Sequence, residues 1–101
     1  MYKRGERSAE MNYGDGPFAT TNDDPVTIYE AETQYYLKDI RITNEGDAPG
    51  FYSYTEGVWH RLPARTVIED NNVYVHNRAI KIKREAGGPN LTKVYLDLER
   101  V

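Results

Sequence analysis

The sequence contains few residues of the types that do chemistry in active sites. It has two histidines, His60 and His76, and no cysteine, which excludes a thiol nucleophile and a thiolate metal site. Neither histidine has an Asp or Glu at the spacing of a known metal motif, so they predict no zinc site. His60 shares the strand phase of Val58 and Leu62, which favours a hydrogen-bonded histidine at the margin of a sheet.

Two stretches are rich in the oxygen ligands that calcium prefers. They are residues 44–47 and 69–72, and neither follows the spacing of a known calcium loop. Turn chemistry explains both compositions, because Asn, Asp and Gly favour tight turns. The two serines, Ser8 and Ser53, are not set in a nucleophile elbow. The sequence therefore predicts a protein that is not an enzyme and has no metal or other cofactor.

The charge balance bears on possible partners. Thirteen Lys and Arg against sixteen Asp and Glu give a formal net charge of −3, and the two signs are interspersed along the chain. A nucleic-acid-binding protein usually carries a basic patch that displaces counterions from phosphates, so we expect no nucleic-acid partner. No segment approaches the roughly 18 apolar residues of a membrane helix, and the N-terminal residues lack the apolar core of a signal peptide. We therefore expect no membrane association.

The pattern of apolar residues from residue 26 onwards is typical of β-strands. Ile40 and Ile42 alternate with Asp39 and Arg41, as in a strand with one buried face. No stretch has a helical period. The sequence predicts an all-β protein, an antiparallel β-sandwich or jelly roll spanning residues 26–101. The predicted strands are residues 26–29, 35–43, 51–55, 58–62, 66–69, 73–76, 79–84 and 91–101, with a turn at residues 70–72.

Residues 1–25 have a different composition. They include Gly5, Gly14, Gly16, Pro17 and Pro25, and they show neither a helical nor a strand period. Such a segment buries too little apolar surface to offset the entropy of ordering its backbone. We predict a flexible or extended N-terminal arm. Two interpretations of this segment are open: a disordered tail, or an extended arm that becomes ordered on a neighbouring subunit.

Aromatic residues occupy the strand positions that alternate with the aliphatic ones, so we expect their rings on the outer faces of the sheets. One interpretation is cross-strand packing of these rings against the aliphatic stems of Lys81, Lys83 and Arg41. The other is a protein interface, because Tyr, Trp and Arg are enriched where proteins meet. The candidate interface residues are Tyr29, Trp59, Arg61, Tyr74 and Tyr95.

Residues 26–29 (VTIY), 36–44 (YLKDIRITN) and 50–54 (GFYSY) together resemble a pattern in small virion proteins of tailed bacteriophages. In these proteins a strand leads into an I-x-I/V-T-N strand, a turn and an aromatic strand within a β-sandwich. The resemblance implies a structural, multi-copy role as a head decoration or cement protein, or as a tail or collar accessory protein. It also implies capsid or tail subunits as partners, a homo-oligomer, and location in the virion after synthesis in the host cytoplasm.

Two other functions remain open. In a carbohydrate-binding module, Trp59, Tyr52 and Tyr54 would stack on sugar rings while Asp47 or Arg61 bonds to hydroxyl groups. A small enzyme would instead need a cleft with a carboxylate of shifted pKa, for which the sequence offers no candidate. A titration with soluble sugars separates the first alternative from a protein-binding role.

Overall fold

The computed structural model describes residues 14–30, 37–55, 57–74 and 79–100. Their regular structure consists of β-strands, and none of these residues belongs to a helix that could cross a membrane. The strands are β1 (Asp15–Phe18), β2 (Val26–Glu30), β3 (Leu37–Asn44), β4 (Gly50–Thr55), β5 (Val58–Leu62), β6 (Thr66–Tyr74), β7 (Ala79–Arg84) and β8 (Val94–Arg100).

The strands form two four-stranded antiparallel sheets. Sheet A has the order β1-β8-β3-β6, and sheet B has the order β2-β7-β4-β5. Hydrogen bonds join the first strand to the last, the second to the seventh and so on inwards, in the pairs β1·β8, β2·β7, β3·β6 and β4·β5. The two halves of the chain therefore pair as the two arms of one long hairpin. This is the connectivity of an eight-stranded jelly roll. The predicted all-β fold is confirmed.

The core lies between the sheets and consists of side chains that alternate along the strands. In β3, Ile40 and Ile42 are completely buried, and in β7 Ile80 and Ile82 are completely buried. Because successive side chains of a strand point to opposite faces, these isoleucines define the inner faces of both sheets. The core is completed by Ile28, Ala48, Tyr52, Tyr54, Leu62, Leu91, Val94 and Leu96.

A hydrogen bond connects the inner faces of the two sheets. The Tyr54 hydroxyl of β4 donates to Asp70 Oδ2 of β6 over 2.8 Å. Burial, and then this bond to Asp70, raise the pKa of Tyr54 far above its ordinary value. Burial also raises the pKa of the neighbouring Tyr52, with the charge of Asp70 as the second cause. The phenol of Tyr54 is therefore held in its neutral, donating form.

The predicted turn at residues 70–72 is wrong, because β6 continues through it to Tyr74. Lys38 of β3 pairs with Val73 and Ile40 pairs with Asp70. Two residues of β6 therefore oppose the single residue Asp39, which is a β-bulge. The bulge accommodates the two asparagines without ending the strand.

The predicted arm of residues 1–25 is too long. Residues 15–18 form β1, which pairs with β8 through Asp15 opposite Leu96 and Phe18 opposite Val94. Phe18 packs against the core. An isolated segment of this composition gains too little from burial, but an existing sheet edge supplies both hydrogen bonds and apolar contacts. Residues 1–13 lie outside the described residues, so the prediction of an arm stands untested there.

Residues 20–23, which follow β1, are hydrogen-bonded to the end of β7 and to the loop between β7 and β8. The backbone of Thr20 donates to Leu91 O over 2.9 Å, and its hydroxyl oxygen accepts from Leu91 N over 2.8 Å. Further along, Asp23 Oδ1 accepts from Gly87 N at 3.0 Å and from Arg84 Nε at 2.8 Å. These two bonds, first that from Gly87 N, lower the pKa of Asp23. Residues 20–23 thus belong to the sandwich.

A substitution tests whether this segment belongs to the folded domain. Thr20→Val keeps the shape of the buried side chain but removes the acceptor for Leu91 N. We expect the free energy of unfolding to fall by about 1–3 kcal/mol, the cost of an unsatisfied buried group. Thr21→Val, at an exposed position, is the matched control and should change it by less than about 0.5 kcal/mol. Equal denaturant midpoints for the two variants would contradict this role of Thr20.

Candidate functional site

Strand alternation in sheet B directs a second set of side chains away from the core. In β7 the lysines alternate with the completely buried Ile80 and Ile82. In β4 the outward residues alternate with the buried Tyr52 and Tyr54. The outer face therefore carries both aromatic rings and cations. We call Phe51, Trp59, Arg61, Lys81 and Lys83 the basic aromatic patch.

Cross-strand register places a ring between two cations. Phe51 of β4 pairs with Arg61 of β5 on one side and with Lys83 of β7 on the other. The Arg61 Cζ atom lies 5.5 Å from the centre of the Phe51 ring, and Lys83 Nζ lies 5.7 Å from it. Lys83 Nζ is also 4.2 Å from the centre of the Trp59 ring. Cation–π attraction therefore links three strands across the outer face.

Beside the contacts among Arg61, Phe51 and Lys83, small side chains leave a depression next to Trp59. Ser53 of β4 pairs with Lys81 of β7; it is buried, and its hydroxyl donates to Thr55 O over 2.6 Å. The depression has a volume of about 240 Å³. Its lining residues are Pro25, Ser53, Thr55, Gly57, Trp59, Ala79 and Lys81.

Of the three cations in the patch, Arg61 is the one that forms an ion pair within the described residues. Arg61 Nη1 bonds to Glu85 Oε2 over 2.8 Å, and both side chains are substantially exposed. Such an exposed pair contributes little to stability. Lys81 is exposed and makes no ion pair with any residue in the described part of the chain. The patch therefore presents positive charge on a protein whose net charge is negative.

Of the five predicted interface residues, Trp59 and Arg61 lie in the basic aromatic patch. The prediction that Tyr29 lies on an outer face is wrong, because Tyr29 packs against the core. The register of β2 against β7 shifts between Thr27 and Tyr29, so that Tyr29 pairs with the inward Ile80. A bulge of this kind reverses the side-chain alternation, and the sequence pattern gives no sign of it.

The remaining two predicted residues belong to sheet A. Tyr95 alternates with the buried Val94 and Leu96 of β8, and it is partly buried. A Cβ atom on Gly16 of β1 would lie 3.0 Å from Tyr95 Cδ1, so the ring packs closely against that strand. Tyr74 ends β6, and its side chain lies outside the described structure. The five residues therefore do not form a single surface.

The outer face of sheet A differs in kind from that of sheet B. Arg41 of β3 and Asp97 of β8 are cross-strand partners, and Arg41 Nη2 bonds to Asp97 Oδ2 over 2.8 Å. Both side chains are buried. Nearby, Glu99 Oε2 is buried and has no hydrogen-bond partner among the described residues. The centre of this face is closed to solvent, whereas the basic aromatic patch is open.

In the described part of the chain, the residues that the sequence suggested for binding sugars or metals do not come together in a site. Tyr52 and Tyr54 are buried in the core, so the predicted sugar platform of Trp59, Tyr52 and Tyr54 is wrong. Asp47 Oδ1 accepts from Arg65 Nε over 2.7 Å. His60 is exposed at the margin of sheet B, with its ring 5.2 Å from that of Tyr52. Within the ranges that the structure covers, no three His, Asp or Glu residues are grouped so that they could hold a metal.

Comparison with known proteins finds no matching family model, no matching curated protein and no matching solved structure.

The role of Lys83 in ordering the patch is testable by removing its charge. Lys83→Met keeps the aliphatic stem but removes the cation above Trp59 and Phe51, and we expect the free energy of unfolding to fall by about 0.5–1 kcal/mol. Lys81→Met, on the same face of the same strand, is the control and should change it by a smaller amount. Chemical denaturation followed by circular dichroism measures both. Equal losses would show that the lysine–ring contacts contribute nothing specific.

Proposed function

We propose that the protein is a non-enzymatic structural protein that binds other subunits and its own copies through the basic aromatic patch. The setting that the sequence resemblance implies is the virion of a tailed bacteriophage. There the protein would act as a capsid decoration or cement protein, or as a head–tail accessory protein, after synthesis in the host cytoplasm. Its partners would be capsid or tail subunits.

The observation that carries the proposal is the composition and exposure of the patch. Tryptophan and arginine are among the residues that most often anchor protein interfaces. The indole buries much area with only two rotatable bonds, and the guanidinium offers five hydrogen-bond donors in a planar group. Trp59 and Phe51 are only partly buried, and each ring lies beside a cation, Lys83 or Arg61. We expect these contacts to restrict the rings before a partner binds. A surface that is ordered before binding loses less side-chain entropy when a partner covers it.

The architecture supports the same proposal. Jelly rolls occur in viral capsid proteins and in lectins. A fold is compatible with many functions, so the argument depends on the patch and not on the fold alone. The Arg41–Asp97 pair at the centre of the outer face of sheet A is buried, whereas Arg61 and Lys81 on the outer face of sheet B are exposed beside Phe51 and Trp59.

Replacing the tryptophan tests the proposed interface. Trp59→Ala should weaken self-association, or binding to a purified capsid or tail subunit, by about 2 kcal/mol or more, because the ring is expected to fill a pocket on the partner. Sedimentation equilibrium measures self-association, and co-sedimentation with particles measures subunit binding. The thermal midpoint of the same variant shows how much the ring contributes to the isolated fold.

Val67→Ala is the matched control for that experiment. Val67 is a hydrophobic residue of β6 in sheet A with 51% of its surface exposed, and its truncation should leave both association and particle binding unchanged. The proposal would be contradicted by a Trp59→Ala variant that melts earlier but associates normally. A wild-type chain that stays monomeric at high concentration and binds no capsid or tail subunit would contradict it as well.

A further inference from the structure

The depression beside Trp59 has a chemical character that the assembly role does not require. Trp59 lines it from β5, and Lys81 and Ala79 line it from β7, the two strands that flank β4. Thr55 and Ser53 contribute hydroxyl-bearing side chains to the lining. The site therefore combines an aromatic surface, a cation and hydrogen-bonding groups within one concave space.

The size of the depression limits what it can accept. Pockets for drug-sized ligands usually measure about 300–1,000 Å³, and this one measures about 240 Å³. It suits a single ring with its substituents. A flat apolar ring face would cover the indole of Trp59 and bury apolar area, while polar substituents around that ring would reach Thr55 and the solvent.

The charge of the site selects among such rings. Lys81 is exposed and forms no ion pair within the described residues, whereas Lys83 is engaged by the rings of Trp59 and Phe51. A ligand with one carboxylate would supply the anion that Lys81 lacks, in a charge-assisted hydrogen bond. A pyranose has an apolar C–H face, several hydroxyl groups and, in uronic acids, a carboxylate on the ring.

We propose that the depression formed by Trp59, Lys81, Thr55 and their neighbours binds a carboxylate-bearing sugar ring, such as a hexuronic acid unit of an acidic glycan. The sugar ring stacks on Trp59, and its carboxylate binds the Lys81 ammonium. This site goes beyond the proposed assembly role and does not depend on it, because the isolated chain contains every residue that the site needs.

Titration of the full chain with sodium glucuronate tests the site. Trp59 is the only tryptophan in the chain, so its fluorescence and the amide NMR shifts of residues 53–61 report on this depression. We expect saturable binding that weakens at high salt. Glucose should bind about two- to five-fold more weakly, the range that corresponds to an exposed ion pair. Absence of glucuronate binding, or equal binding of glucose, would overturn the proposal.

A third ligand tests whether the depression binds a sugar or an acidic side chain of a protein. N-acetylglutamate α-amide carries one carboxylate, as glucuronate does, but no pyranose ring, and it should bind more weakly than glucuronate. Equal binding of the two would overturn the sugar proposal and assign the depression to acidic side chains of a protein partner. These titrations use the chain at a concentration at which sedimentation shows it to be monomeric. Their failure therefore leaves the assembly proposal intact, and failure of assembly leaves the titrations unaffected.

Variants of the lysine complete the test. Lys81→Met should weaken glucuronate binding to the level of glucose, and Lys81→Arg should restore it, since arginine also binds carboxylates. Lys93→Met, at an exposed lysine outside the depression, is the control and should bind as the wild type does. Thermal midpoints confirm that the variants fold. Unchanged binding by Lys81→Met would overturn the assignment of the carboxylate to Lys81.

Discussion

The alternation of side chains along β7 is the constraint on which both the core and the patch depend. Ile80 and Ile82 are completely buried between the sheets, and Lys81 and Lys83 lie on the opposite face. A slip of one residue in the register of β7 would bury two lysines and expose two isoleucines. Because β7 pairs with both β2 and β4, its register also sets where Phe51 lies relative to the cations. Burial of the two isoleucines therefore sets the register of β7, and this register determines the geometry of the outer face.

The two outer faces of the jelly roll have different physical characters. In sheet A, the Arg41–Asp97 pair is buried, and each of these charges needs its partner, since an uncompensated charge in such a place is costly. In sheet B, cations lie over aromatic rings, and exposed Lys81 has no acidic partner in the part of the chain described. The first arrangement makes the loss of either partner costly and leaves little open surface. The second leaves aromatic area and positive charge available to a ligand or to another subunit.

Local patterning predicted most of the strands but not the positions where register changes. The alternation of Ile40 and Ile42 with charged residues identifies β3 from sequence alone. The β6 bulge and the β2 bulge depend on pairing with distant strands, so the turn at residues 70–72 and the outward placement of Tyr29 were wrong. The strand at residues 15–18 also escaped prediction, because its stability comes from the edge of β8. In the patch, Trp59 and Arg61 were predicted as interface residues, and Lys81 and Lys83 as neighbours of outward aromatic rings. Phe51 joins them only through cross-strand register.

Accessibility of the single tryptophan tests most directly whether sheet B carries the contact surface. Acrylamide quenching of Trp59 fluorescence would be measured across a range of protein concentrations, with sedimentation reporting association in the same samples. If the basic aromatic patch is the interface, the quenching constant falls as the associated fraction rises, because a partner covers the ring. Association that proceeds while the quenching constant stays at its monomer value would place the contact elsewhere and contradict the account.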